Sequence, residues 1–175
     1  MKKTIYILFS ILFCTSWIGD KPSASEEASA KIKAIYIYNF TKYIEWPDSY
    51  KQGNFVIGVI GNNISLINEL NKMAASKTVG SQRLEIKNIS SPDDASCHII
   101  YLLSDNSSQL SEVMDKIKNK STLIITDKAG LASKGAAINF VIQENKQKIE
   151  LNKSNIERYK LKVASSLVEL AIQVK

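Results

Sequence analysis

The 175-residue chain is 45% apolar and 23% charged, with a formal net charge of +6. That composition is ordinary for a globular protein and long enough for a core that needs no staples. The basic residues are scattered, with no Lys/Arg block and no interleaving of aromatic and basic residues, which excludes a nucleic-acid track.

Lys2 and Lys3 precede a short apolar run, Ile5 to Phe13, that Asp20, Lys21 and Pro22 end. The run is too short and wrongly flanked to span a membrane, so residues 1–20 are expected to be a signal peptide cleaved between 19 and 30. Ala28-Ser29-Ala30 has the small-x-small form of a cleavage site but lies far from the run. Cys14 follows the bulky Phe13, which speaks against lipid attachment. Export places the mature chain in an oxidising compartment. With Cys14 removed, Cys97 is the only cysteine, so an intrachain disulfide is excluded and a small buried hydrophobe is expected, with an intermolecular bridge as the alternative.

Residues 20–30 are small and polar and read as flexible. From Lys31 to Pro47 the sequence KIKAIYIYNFTKYIEWP predicts a helix, because Ile32, Tyr36, Phe40 and Tyr43 recur at helical spacing, with Ile37, Thr41 and Ile44 beside them. Pro47 is expected to stop it. So wide a stripe predicts a covered helix. Its aromatics exceed what one core face needs, and Tyr38, Tyr43 and Trp46 are the candidates for gripping a partner.

Phe55 to Gly61 (FVIGVIG) is a continuous apolar run, read as a strand buried on both faces. Gly58 within it implies a close approach by a neighbour. Asn62 and Asn63 are expected to cap a helix whose Leu66, Ile67, Leu70, Met73 and Ala74 share a face. Lys77 to Gln82 reads as a loop, and Arg83 to Asn88 alternates as a half-exposed strand. The pair Asp93 and Asp94 reads as a turn. His98 to Leu103 is a second buried strand, Asn106 to Ser108 are expected to cap a helix carrying Leu110, Val113, Met114 and Ile117, and Thr122 to Thr126 is a third buried strand.

Two alternating segments follow, around Ile138 to Ile142 and Lys148 to Leu151. Glu144-Asn145 between them suits a tight hairpin. A last helix is expected to carry Val163, Leu167, Leu170, Ala171 and Val174 as a well-covered stripe. Helices between apolar strands imply crossovers onto a parallel sheet. The fold class is therefore α/β: a mainly parallel sheet flanked by helices, with an added antiparallel hairpin near the C-terminus, in one domain over residues 31–175.

Catalytic chemistry finds little support. His98 is the only histidine, and no G-x-S-x-G motif accompanies it. Cys97 and His98 would point to opposite faces of a strand and lack further ligands, so no metal is expected. Neither a G-x-G-x-x-G nor a Walker loop is present, and no cofactor is expected. Gly61, Asp105 and Asp127 fall at the carboxyl ends of buried strands, where α/β folds place ligands, which leaves a small-ligand-binding protein as the alternative reading.

The order of five segments resembles the YfiR-like family of periplasmic proteins: KAIYIYNFTKYIEWP (Lys33–Pro47), FVIGVIG (Phe55–Gly61), CHIIYLL (Cys97–Leu103), TLIITDKAGLASKGAAINFVI (Thr122–Ile142) and IELNKSNIERYKLKVASSLVELA (Ile149–Ala171). The resemblance implies an exported regulator and not an enzyme. Such a regulator binds the periplasmic domain of an inner-membrane diguanylate cyclase, or of another sensor such as a histidine kinase, and a homodimer is compatible with it. Three departures stand out. The family's disulfides cannot form with Cys97 alone, so intrachain redox control is not expected. Lys134-Gly135 stands where the family commonly has Gly-Gly, and Lys160-Leu161 where it has Gly-Leu, each costing a turn its freest residue.

Overall fold

The computed structural model describes residues 22–90 and 97–175. Residues 1–20, expected to be a signal peptide and including Cys14, lie outside the described residues, as do Asp93 and Asp94.

Helix α1 (Ala24–Tyr43) starts seven residues before the expected Lys31. Ser23 and Glu26 form a capping box, each side chain receiving a backbone N–H of the other, and this converts the small polar stretch read as flexible into the first turns of the helix. The helix also ends earlier than Pro47. Ile44–Glu45 is a short strand, β1, paired antiparallel with β9 (Lys162–Val163). The buried stripe is Ala30, Ala34, Ile37 and Phe40, rotated from the expected one, so that Ile32 is 42% exposed while Tyr36 and Tyr43 are half-buried at its margin.

The strands β2 (Phe55–Ile60), β5 (Ile99–Leu102) and β6 (Leu123–Thr126) are buried along their whole length, as their unbroken apolar runs require. With β4 (Gln82–Ile89) and β7 (Ile138–Gln143) they form a parallel set in the order β4-β2-β5-β6-β7. Placing the second strand of the set outside the first is the flavodoxin-like arrangement. Antiparallel strands flank it: β8 (Lys146–Leu151) beside β7, and β3 (Thr78–Val79) beside β4, where a loop was expected. Glu144 and Asn145, at φ 53° and 60°, make the two-residue hairpin turn between β7 and β8.

Gly58 makes the close approach its place in β2 implied. A Cβ there would lie 2.8 Å from both Cys97 Sγ and Ile89 Cδ1. Cys97 is buried, which suits the small hydrophobe and not a bridge to another molecule. In α2 (Ile64–Ala74) Asn63 is the N-cap, accepting from Leu66 N–H at 2.8 Å. Residues 106–108, by contrast, lie inside a 3-10 turn, Ser104–Gln109, and do not cap α3 (Leu110–Lys116).

The C-terminal expectation changes most. The helix α5 is only Ser165–Leu170; Val163 precedes it in β9, and Ile172–Gln173 is a strand, β10, laid parallel on β8. The stripe is not well covered, since Leu170 is 75% exposed. A β-branched Ile172 and Val174 satisfy an extended chain as readily as a helix, and the free edge of β8 provides the partner. Between β8 and β9, helix α4 (Lys153–Arg158) is capped by Asn152, which accepts from Asn155 N–H.

Candidate partner-binding surface

The three aromatic residues singled out from sequence point in three directions. Trp46 is in the core, 6% exposed, its indole Nε1–H donating to His98 O at 3.3 Å and its ring edge-on to Phe55 at 5.0 Å. Trp46 therefore corrects the expectation of an exposed grip; ending the helix at Tyr43 turns the side chain inward. Tyr38 donates its hydroxyl to Thr78 O at 3.2 Å, and the Lys42 ammonium stands 5.0 Å from its ring centre. That residue ties α1 to the start of β3. Tyr43 opens onto an apolar groove, and Trp46, with Ile44, Phe55 and Val79, lines a separate recess of about 390 Å³.

The groove holds about 360 Å³ and is lined by Tyr36, Asn39, Phe40 and Tyr43 of α1, Gln147, Lys148 and Ile149 of β8, and Leu167 and Leu170 of α5. Its floor is rigid because Tyr36, Phe40 and Phe140 pack ring against ring at 5.9–6.1 Å. The wall made by α5 is held by two contacts that sequence reading could not supply. The β1–β9 pairing sets Val163 opposite Ile44, and Ala164 N–H donates to Tyr43 O at 2.8 Å, one of the carbonyls the end of α1 leaves free. Leu167 is thereby buried while Leu170, three residues on, stands out over the groove. An apolar groove with an exposed leucine at its lip and polar residues at its rim can bury a partner's side chain.

At the carboxyl ends of the parallel strands, the alternative site, the protein fills the crevice at Gly61, and a recess of about 500 Å³ lies further along, lined among others by Ser107, Ser111, Lys128 and Lys134. A Cβ on Gly61, at φ 113°, would lie 2.5 Å from Asn106 Oδ1 and 2.6 Å from Leu103 Cδ1, so the crevice beside β2 is filled. Asp105 is an exposed residue of the 3-10 turn. Asp127 borders a recess of about 340 Å³, but both its oxygens are used: Oδ2 takes the Lys33 ammonium at 2.6 Å and the Tyr101 hydroxyl at 2.9 Å, and Oδ1 takes Ser104 N–H at 2.8 Å. It joins α1, β5 and the following turn. Burial and the adjacent Asp127 carboxylate together push the Tyr101 phenol far above its ordinary value, so it is a permanent donor here.

His98 is buried as well. Val56 N–H donates to Nδ1 at 3.1 Å, so Nδ1 is bare, and Nε2, 2.8 Å from Tyr50 O, carries the proton. The ring stacks on Phe55 at 4.3 Å. Burial lowers its pKa, and the bond to Tyr50 opposes that only in part. Among the described residues no cluster of His, Cys, Asp and Glu fits a metal ion, and no helix is long and apolar enough to cross a membrane.

The family model described as YfiR/HmsC-like matches residues 30–172, from the buried stripe of α1 to the start of β10. The chain belongs to the YfiR/HmsC-like family. Among solved structures it is similar to a conserved domain protein from Vibrio cholerae O1 biovar El Tor str. N16961, with 13% identity and a TM-score of 0.55 over 83% of this chain and 60% of that one. At that identity the likeness concerns the fold, and this chain spans less than two thirds of that protein's length. No curated protein matches the sequence. All nine residues that line the groove lie within the matched family region.

Proposed function

We propose that this YfiR/HmsC-like protein is an exported, periplasmic regulatory binding protein, not an enzyme, that modulates an inner-membrane sensor of the diguanylate cyclase type through the sensor's periplasmic domain. The observation that carries the reading is the groove in which Tyr43 meets the exposed Leu170, on a chain whose family match spans residues 30–172. A regulator of this kind works by linkage. It shifts a receptor between states only by its difference in affinity for them, so it needs an accessible apolar surface and no catalytic group. Tyr43, with Leu170 in place of the buried Trp46, is the proposed contact; Tyr38 lies on a different side of α1.

The test is capture of membrane proteins from the host by the mature, tagged protein, followed by mass spectrometry, with cellular cyclic-di-GMP measured in parallel. Recovery of a membrane sensor with a cytoplasmic cyclase domain, lost with Leu170→Glu, and a rise in cyclic-di-GMP on deletion of the gene, is the expected result. Recovery of the same sensor by Leu170→Glu at equal yield would remove the groove from the interface. No sensor recovered, with cyclic-di-GMP unchanged, would overturn the reading.

A further inference from the structure

The groove runs beside an open sheet edge. The two-residue turn makes Gln143 and Lys146 a hydrogen-bonded pair, so Lys148 and Glu150 also bond to β7, and the peptide groups of Gln147, Ile149 and Leu151 face away from it. The outward carbonyl of Leu151 is taken by Val174 N–H at 3.0 Å, as this alternation requires. The protein's own β10 pairs with Glu150 and Leu151 and goes no further. Among the described residues no strand lies on that side of residues 146–148, where the edge meets the groove lined by Tyr43 and Leu170.

We propose that this uncovered stretch of β8 accepts a short extended segment of the partner as an added strand, whose alternate apolar side chains enter the groove and whose other side chains include carboxylates. The inference rests on the regulator reading and specifies what the partner presents. Strand addition of this kind takes affinity from main-chain bonds and selectivity from pockets for every second side chain. Three observations favour it. An edge peptide group and an apolar groove adjoin. The C-terminal β10 already shows that a strand seats on this edge. Lys148 lines the groove and Lys146 is exposed two residues before it; the Lys148 ammonium donates to Gln143 Oε1 at 3.1 Å and stands 3.5 Å from the exposed Glu144, surface contacts that an acidic segment can replace. The same lysines oppose a second copy, whose identical edge would bring like charges face to face.

The probe is a synthetic six-residue peptide alternating valine and glutamate, with two relatives N-methylated on the valines only or on the glutamates only. In a strand, every second N–H points to the same side, so one of the relatives keeps its donors toward β8 and the other loses them. The expected result is binding of the parent with shifts at the Gln147 and Ile149 amides in NMR, retained by one methylated peptide and weakened about tenfold or more in the other, as loss of main-chain bonds implies. Gln147→Pro removes an outward N–H and no main-chain bond to β7, together with the side-chain donations to Val141 O at 2.9 Å and Lys148 O at 3.2 Å; it weakens the parent similarly, whereas Gln147→Ala, which loses only the side-chain bonds, leaves binding unchanged. Equal behaviour of the two methylated peptides, or no binding of the parent, overturns strand addition. So does a dimer in sedimentation that Gln147→Pro abolishes, which would give the edge to a second copy. If the captured membrane sensor binds Gln147→Pro as well as wild type, this inference fails while the regulator reading stands; if wild type captures no sensor, the regulator reading fails and the peptide results stand alone.

Discussion

Asp127→Ala distinguishes a structural strut from a ligand-binding carboxylate. The substitution leaves the Tyr101 hydroxyl and Ser104 N–H without their acceptor and Lys33 without its counter-charge. Tyr101 is fully buried, and an unsatisfied buried donor costs about 1–3 kcal/mol. Removing one partner of a buried ion pair costs about 3–5 kcal/mol, but the Lys33 side chain is 18% exposed and its flexible stem can carry the ammonium to water, so little is added for the charge itself. The expected loss is about 3 kcal/mol, a large part of the roughly 5–15 kcal/mol that holds a domain together. Urea unfolding of the mature chain measures it, followed by the fluorescence of Trp46, the one tryptophan after residue 20. Asp105→Ala, on the exposed 3-10 turn, is the control and should change stability by less than about 0.5 kcal/mol. Lys33→Met should cost less than Asp127→Ala, and the double variant less than the sum, because the two residues are in contact. If Asp127→Ala behaved like Asp105→Ala, or stabilised the protein as changes at binding sites can, the strut account would be refuted and the ligand-binding alternative would regain its site.

Three further outcomes follow from the same geometry. Trp46→Ala should destabilise by about 3–5 kcal/mol in urea unfolding, because it opens a cavity against Phe55 and His98; a loss below about 1 kcal/mol would contradict its place in the core. His98 has a folded pKa below its ordinary value near 6.5, so at acid pH the unfolded chain binds a proton that the folded chain resists. Its contribution is present above pH 6.5 and lost as pH falls through the lower, folded value; unfolding free energies across pH 7 to 4 should show that slope, and His98→Gln should flatten it. Lys160 has φ 58°, in the left-handed region that costs a side chain about 1–2 kcal/mol, so Lys160→Gly should stabilise by about 1 kcal/mol once glycine's greater freedom when unfolded is offset; no gain in midpoint would refute strain there.

Lys160 also shows how a sequence comparison and a dihedral angle meet. The position where the resemblance leads one to expect glycine before leucine carries lysine here, and its backbone is left-handed, at φ 58°. Lys134-Gly135 behaves differently. Lys134 closes the 3-10 turn Ala132–Lys134, and the special conformation falls on the retained Gly135, at φ 131°. One replacement therefore carries strain and the other does not, which only the coordinates distinguish.

By itself the sequence determined what depends on neighbours a few residues away. Unbroken apolar runs marked β2, β5 and β6, because such a run has no face to offer water. Asn63 marked the start of α2, because its side-chain oxygen matches a free helical N–H. Glu144-Asn145 marked the hairpin, because two successive positive φ angles are needed there. Tertiary structure decided everything that depends on a distant partner. Helical spacing shows that a stripe exists, but two adjacent stripes of α1 were apolar, and the sheet chose Ala34, Ile37 and Phe40. Ile44 and Glu45 left the helix because Val163 and Lys162 pair with them, more than a hundred residues away. That exchange buried Trp46, shortened α5 and set Leu170 across from Tyr43. The groove is thus assembled from residues 36–43, 147–149 and 167–170, whose proximity no local period encodes, since it is the packing of three separate elements that creates it.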